Sequence, residues 1–244
     1  MELIMWNYYN LLLTFTIYSF LGWVLETVFA SMNERKIINR GFLTGFFCPI
    51  YGFGAILVIQ SFKWVNMVFT DYHSLLIISM LFSIFLVTLL EYITGFILEK
   101  IFNCKWWDYS DNAANLQGYI CIKYSILWGL LAFLLVKIAQ PVISEMVFSI
   151  PTTTKDFIAL FLSIYFVIDT VKSVMDALDL REVILNYPKF SVNIYYEKIL
   201  RYKRFFLAFP RLLILNGGII NRDVRRVMND RIDKIKVELK SRLQ

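Results

Sequence analysis

Several runs of about twenty residues in this chain carry almost no charge, and they limit what it can fold into more than any other feature. The clearest are 8–29, 45–62, 75–98 and 120–138. A bilayer's hydrocarbon core takes about 20 mostly apolar residues per helix. Inside lipid every backbone amide and carbonyl has to be satisfied within the protein, so these segments read as membrane-spanning helices. A fifth segment, 157–178, is apolar only as far as Ile168 and then carries Asp169, Lys172 and Asp176. It either faces a polar interior or emerges early. Pro141 and Pro151 bracket a stretch that reads as interfacial, because proline interrupts the helical hydrogen-bond ladder. The expected fold is therefore an all-α polytopic bundle of about five spans, residues 1–180, followed by a basic helical tail, residues 181–244.

Composition supports this class. Hydrophobic residues make up 58% of the chain and charged ones 18%, against about 45–50% and about 25% in soluble domains. The first apolar run lacks the positive leader and small-residue cleavage site of a signal peptide, so it reads as a span. Three cysteines, Cys48, Cys104 and Cys121, without zinc-type or C-x-x-C spacing, argue against a disulfide framework. His73 is the only histidine, which argues against His-based catalysis and a His-ligated metal, and no cofactor is expected.

Lysine and arginine in the loops set the orientation. Arg35, Lys36 and Arg40 lie between the first two spans, and Lys100 and Lys105 between the third and fourth. The alternate loops offer only Lys63 and then Lys155 with the flanking Lys137. Beyond Leu180 the chain has 15 Lys/Arg against 6 Asp/Glu, whereas the first 180 residues have 10 against 13. Five spans with the N-terminus outside place every basic loop and the tail in the cytoplasm of an inner-membrane protein. Positive-inside charge accounts for the basic balance, so a nucleic-acid partner is not expected. In the tail, Val224, Met228, Ile232, Ile235, Leu239 and Leu243 recur at helical spacing among basic residues, the pattern of a helix lying on membrane lipids or on a partner.

Ionisable groups within spans are costly and are candidates for function. Glu26 and Glu91 each sit near the end of an odd-numbered span, Glu91 with Thr94 on its face, and Asp169 and Lys172 lie on the fifth. In the predicted topology all four fall in the cytoplasmic half, where Arg40 or Lys172 can supply the charge partner of a shared polar cavity. The alternatives are that the glutamates simply reach headgroup water and that Asp169, Lys172 and Asp176 satisfy one another at helical spacing.

The first two spans also resemble the next two. Leu25-Glu26 parallels Leu90-Glu91, and Gly41-Phe42-Leu43 parallels Gly118-Tyr119-Ile120. Eleven residues after each leading glycine comes another behind an aromatic, Tyr51-Gly52 and Trp128-Gly129. Such a repeat implies a rotation axis along the membrane normal. The second copy holds a loop 12 residues longer, in which Trp106, Trp107 and Tyr109 suit the headgroup level. Asp108, Ser110 and Asn115 there can form turns, cap a helix or bind a headgroup, an ion or a partner.

The runs Arg40-Gly41-Phe42-Leu43, Cys48-Pro49-Ile50-Tyr51-Gly52, Glu91 with Thr94-Gly95, and Trp107-Asp108-Tyr109-Ser110 leading to Asn115 and Gly118-Tyr119-Ile120-Cys121 resemble a bacterial family. It is the family called putative ABC-transporter type IV permeases, and the resemblance covers roughly residues 10 to 180. The proline usual after the aspartate–asparagine turn is Ala113 here. The resemblance implies transport, and the leading expectation from the residues is a lipid-related or small solute handled through the cytoplasmic cavity. On that reading Glu26 and Glu91 are substrate or coupling carboxylates, and Asp108, Tyr109, Ser110 and Asn115 shape the cytoplasmic mouth. The chain lacks a G-x-x-x-x-G-K-[ST] loop, so an ATPase would be a separate subunit, and a homodimer is the simplest way to complete a five-span permease. An intramembrane enzyme acting on a lipid headgroup and a non-catalytic scaffold are the other classes compatible with these residues.

The orientation is testable by cysteine accessibility in intact cells, after the native cysteines are replaced. An introduced cysteine in the tail should resist a membrane-impermeant thiol reagent. Labelling there would reverse the orientation.

Overall fold

The computed structural model describes residues 7–35, 37–185 and 201–214. The basic stripe at 224–243 lies outside the described residues.

Helix α1 spans Tyr8–Glu34, α2 Pro49–Val68, α3 Tyr72–Phe102, α4 Ile122–Leu134, α5 Gln140–Ser149, α6 Thr152–Leu185 and α7 Lys203–Ala208. The two hairpins start and stop on matching signals. The Asn7 side chain caps α1 by accepting from the Asn10 amide, and the Asp71 side chain caps α3 by accepting from Ser74. Each of these helices ends on a left-handed residue, Arg35 at φ 52° and Asn103 at φ 56°, a conformation that releases the chain from the helical path. Pro49 opens α2 from its first turn, where its missing N–H costs nothing. The second helix was expected from residue 45. It starts four residues later, because the amides of Thr44 and Gly45 bond a side chain of α6.

Among the described residues four helices are long and apolar enough to cross a membrane: Tyr8–Met32, Tyr72–Phe102, Ile122–Ser149 and Thr152–Val183. The remaining long helix, α2, has 20 residues, about 30 Å of rise, and is the fifth element of the bundle. Gln60, Lys63 and Asn66 dilute its apolar character. It compensates by packing against both α1 and α3, burying Gly52, Gly54, Ala55, Val58, Ile59, Ser61 and Val65. Small residues allow this close approach, as is usual between membrane helices. A side chain at Gly52 would run into Ser19 and Phe15 of α1, and the Ser61 and Ser83 hydroxyls bond at 2.7 Å between α2 and α3.

The fourth span corrects two expectations. Residues 120 and 121 are extended, forming β3 Ile120–Cys121 opposite β2 Asn115–Leu116, so the helix begins at Ile122. The stretch between Pro141 and Pro151 is not a separate interfacial element, because helix continues through Pro141 to Ser149. The bridge is a π-helical turn, Leu135–Ala139. Proline cannot donate to the carbonyl four residues back and its ring crowds that group. Here that residue is Lys137, inside the widened turn, and a π turn is a known way to absorb such a defect.

At the end where α1, α3 and α6 finish, residues 201–214 fold onto the bundle. Strand β4, Leu213–Ile214, pairs antiparallel with β1, Cys104–Lys105. Phe205, Phe206 and Leu212 join Phe102, Cys104, Trp106, Ala177, Leu180 and Val183 in one apolar cluster. At the opposite end Lys155, itself buried, donates to Asn10 at 3.0 Å.

Candidate functional site

The polar residues of the bundle gather where α1 and α3 end and α2 and α4 begin. Glu26 lies two turns before the end of α1. Tyr51, in the first turn of α2, donates to its Oε1 at 2.7 Å. Arg40, from the connection between these helices, meets its Oε2 with Nε at 3.1 Å. Glu91 lies three turns before the end of α3. Trp128 of α4 donates to its Oε2 at 2.9 Å, and Tyr109, from the loop before β2, donates to its Oε1 at 3.2 Å. The two halves touch: the Tyr51 and Trp128 rings meet edge to face with centroids 5.3 Å apart. Tyr109 stacks on Tyr124 of α4 at 4.5 Å. Burial, followed by the nearby Glu91 charge, raises the Tyr109 phenol well above its ordinary range, so it remains protonated.

The contacts follow the repeat read from the sequence. Aligning Glu26 with Glu91 and Gly41 with Gly118 also aligns Tyr51 with Trp128, and each of those aromatics donates to the glutamate of its own hairpin. The same alignment matches Thr27 with Tyr92 and Arg40 with Gln117. Thr27 accepts from the Arg40 amide, and Tyr92 donates to the Gln117 side chain. It matches Gly52 with Gly129 as well, whose missing side chains make room for the equivalent residues Ser19 and Ile84.

The other residues singled out from sequence have different placements. Asp169 is buried, and its partners lie on the connection between α1 and α2 and on its own helix. Its carboxylate accepts from the Thr44 and Gly45 amides, both at 3.0 Å, with the Tyr165 hydroxyl at 3.4 Å and the Ser173 hydroxyl at 3.5 Å. Lys172 is exposed, and Arg40 rather than Lys172 supplies the charge partner of Glu26. The Thr94 hydroxyl turns back onto the Leu90 carbonyl of its own helix. Asp108, Ser110 and Asn115 bond within their loop. The Asp108 Oδ1 accepts from the Ser110 hydroxyl at 2.6 Å and pairs with Lys105 at 3.7 Å. The Asn115 amide donates to the Ser110 and Asn112 carbonyls. Gly118, at φ 77°, closes the turn, and a side chain there would strike Asp108. This loop holds Tyr109 over Glu91.

Tyr51, Trp128, Tyr124 and Arg204 were not among the residues expected at the site. For the first two a signal existed, since they are the aromatics that precede the repeated glycines. Arg204 lies in a basic run where nothing marks one arginine from the next. Its guanidinium donates to the Gly41, Phe42 and Leu43 carbonyls at 3.3, 3.0 and 2.8 Å. The connection carrying Arg40 is thus held through its carbonyls by Arg204 and through its next amides by Asp169.

All three cysteines are buried. Burial pushes the Cys48 thiol up to about 12, with Glu26 adding to the effect and Arg40 opposing it. Burial likewise pushes Cys104 up to about 12, Arg181 opposing. Among the described residues no cluster of three or more His, Cys, Asp or Glu side chains is placed to hold a metal.

Apolar helices of membrane length make the chain a polytopic membrane protein. The family described as "Putative ABC-transporter type IV" matches residues 13–174, more than half of the chain, and the chain belongs to that family. Neither the curated proteins nor the solved structures contain a match.

The two carboxylates should differ in what their donors contribute. Glu91 is only 4% exposed, whereas the Glu26 side chain keeps 32%. Removing a donor from a buried group costs about 1–3 kcal/mol, and less where water can replace it. Thermal unfolding in detergent should therefore show a larger loss for Trp128→Phe than for Tyr51→Phe. The reverse order would contradict the burial assignment.

Proposed function

We propose that the chain is a permease-like component of the cytoplasmic membrane that moves a lipid-related or small solute through a polar cavity facing the cytoplasm. Glu26 and Glu91 are its substrate or coupling carboxylates. The observation that carries this reading is the meeting of two intramembrane glutamates, from equivalent places in the two hairpins, in one cluster joined through Tyr51 and Trp128. Charged groups at that depth are expensive, and in membrane proteins they mark solute and ion pathways.

Further support comes from the distribution of charge. The end that carries the cluster also carries Arg35, Arg40, Lys100, Lys105, Lys203 and Arg204, which the positive-inside rule assigns to the cytoplasm. Arg40, with its ion pair to Glu26, and the loop built from Asp108, Ser110 and Asn115 frame the mouth. Thr94, Asp169 and Lys172 contribute to the surroundings: Asp169 fixes the connection that carries Arg40, and Lys172 faces outward where anionic headgroups lie. The family description is compatible with a separate ATPase subunit, and a second copy of the chain would enlarge the bundle. Hydrolysis of a lipid headgroup is the weaker alternative, because both glutamates already accept from side-chain donors and the Cys48 and Cys104 thiols are held neutral.

Reconstitution into vesicles of phosphatidylethanolamine and phosphatidylglycerol, with fluorescent phosphatidylethanolamine and a dithionite quench, tests the lipid branch directly. The wild type should move the lipid with its headgroup intact, and the double variant Glu26→Gln with Glu91→Gln should not. Vesicles indistinguishable from protein-free ones would remove the lipid branch, and headgroup cleavage would favour the enzyme.

A further inference from the structure

Glu26 and Glu91 hold equivalent places yet differ in how their charge is met. Arg40 pairs with Glu26. Its counterpart in the second hairpin is Gln117, a neutral residue whose side-chain carbonyl accepts from Tyr92 at 3.0 Å. Among the described residues Glu91 is left with two neutral donors, Tyr109 and Trp128. The other titratable groups about the cluster are Glu26 on α1, already paired with Arg40 from the connection, Tyr51 on α2 and Tyr124 on α4, with Lys123 over the Tyr124 ring at 5.8 Å and Cys48 beside Glu26. An ionised carboxylate buried in an apolar bundle without a cation is costly, and a bound proton removes that cost.

We propose that Glu91 is a proton-binding site inside the bundle, reached through the Tyr109 hydroxyl, whereas the charge of Glu26 is met by Arg40. The donors fix which oxygen takes the proton. An indole N–H can only donate, so Oε2, which faces Trp128, stays an acceptor and the proton sits on Oε1. Opposite Oε1 is the Tyr109 hydroxyl, which can donate or accept. When Glu91 is ionised, Tyr109 donates to it. On uptake the Tyr109 hydrogen passes to Oε1 while a proton from water at the loop side bonds to the Tyr109 oxygen, so the phenol ends neutral and the carboxylate becomes the acid. Burial and the neighbouring Glu91 both disfavour the phenolate, so Tyr109 works as a neutral relay. This inference rests on the transport reading only for what the proton would drive, and proton binding is measured without transport.

Infrared difference spectroscopy between acid and alkaline buffer, on the full chain in phosphatidylcholine bilayers, is the test. The wild type should show a carboxylic-acid C=O band that shifts down in D2O. The band should be lost in Glu91→Gln and kept in Glu26→Gln. It should move to higher frequency in Trp128→Phe, where the carbonyl loses its donor; this second variant decides the matter if Glu91→Gln does not fold. Tyr109→Phe should keep the band but slow its hydrogen–deuterium exchange. A band absent at every pH, lost in Glu26→Gln instead, or unmoved in Trp128→Phe would overturn the site. Exchange as fast in Tyr109→Phe as in the wild type would overturn the relay. A band with the expected variant pattern in vesicles that move no solute would support the proton site while counting against the transport reading.

Discussion

A carboxylate placed inside an apolar helical bundle has to find donors there, and this requirement organises one end of the protein. A hydrogen bond to a charged group is worth about 1.5–3 kcal/mol, and leaving the group unpaired costs at least as much. Glu26 and Glu91 meet the requirement with side chains from other elements: Tyr51 from α2, Arg40 from a connection, Trp128 from α4 and Tyr109 from a loop. Each of those elements is thereby located relative to α1 or α3. The contact between Tyr51 and Trp128 then locates the two hairpins relative to each other.

The connection between α1 and α2 shows the same rule applied to backbone. The run from Gly41 to Gly45 is not helical, yet it lies against the bundle, so its amides and carbonyls need partners. A carboxylate on α6 takes the amides and a guanidinium from residues 201–214 takes the carbonyls. Arg204 depends in turn on the segment that carries it, which is anchored by Phe205 among Phe42, Trp106 and Phe102 and by pairing of β4 with β1. The geometry of Arg40 at the site therefore depends on residues more than 160 positions away in the sequence.

Much of this was legible in the sequence because lipid imposes a simple code: runs of apolar residues of fixed length become helices. The Glu-to-Gly and Gly-to-Gly pattern was also legible, and its residues reappear in matching contacts. Three features were not. Helix continues past Pro141 because a π turn at Leu135–Ala139 accommodates the ring, and nothing in a hydropathy pattern announces that turn. Asp169 has a periodic relation to Lys172 that suggested pairing within one helix, whereas backbone amides from a distant connection satisfy it. The loop residues Asp108, Ser110 and Asn115 were open to either a turn or a ligand, and their bonds run within the loop. Side-chain type gives the capacity to bond, and only the fold decides with what.

The two hairpins meet through the rings of Tyr51 and Trp128. A double-mutant cycle with Tyr51→Leu and Trp128→Leu, read by unfolding of the full chain in detergent, measures that junction alone. An edge-to-face aromatic pair should give a coupling of about 0.5–1.5 kcal/mol. Additive effects, with no coupling beyond experimental error, would contradict a shared site.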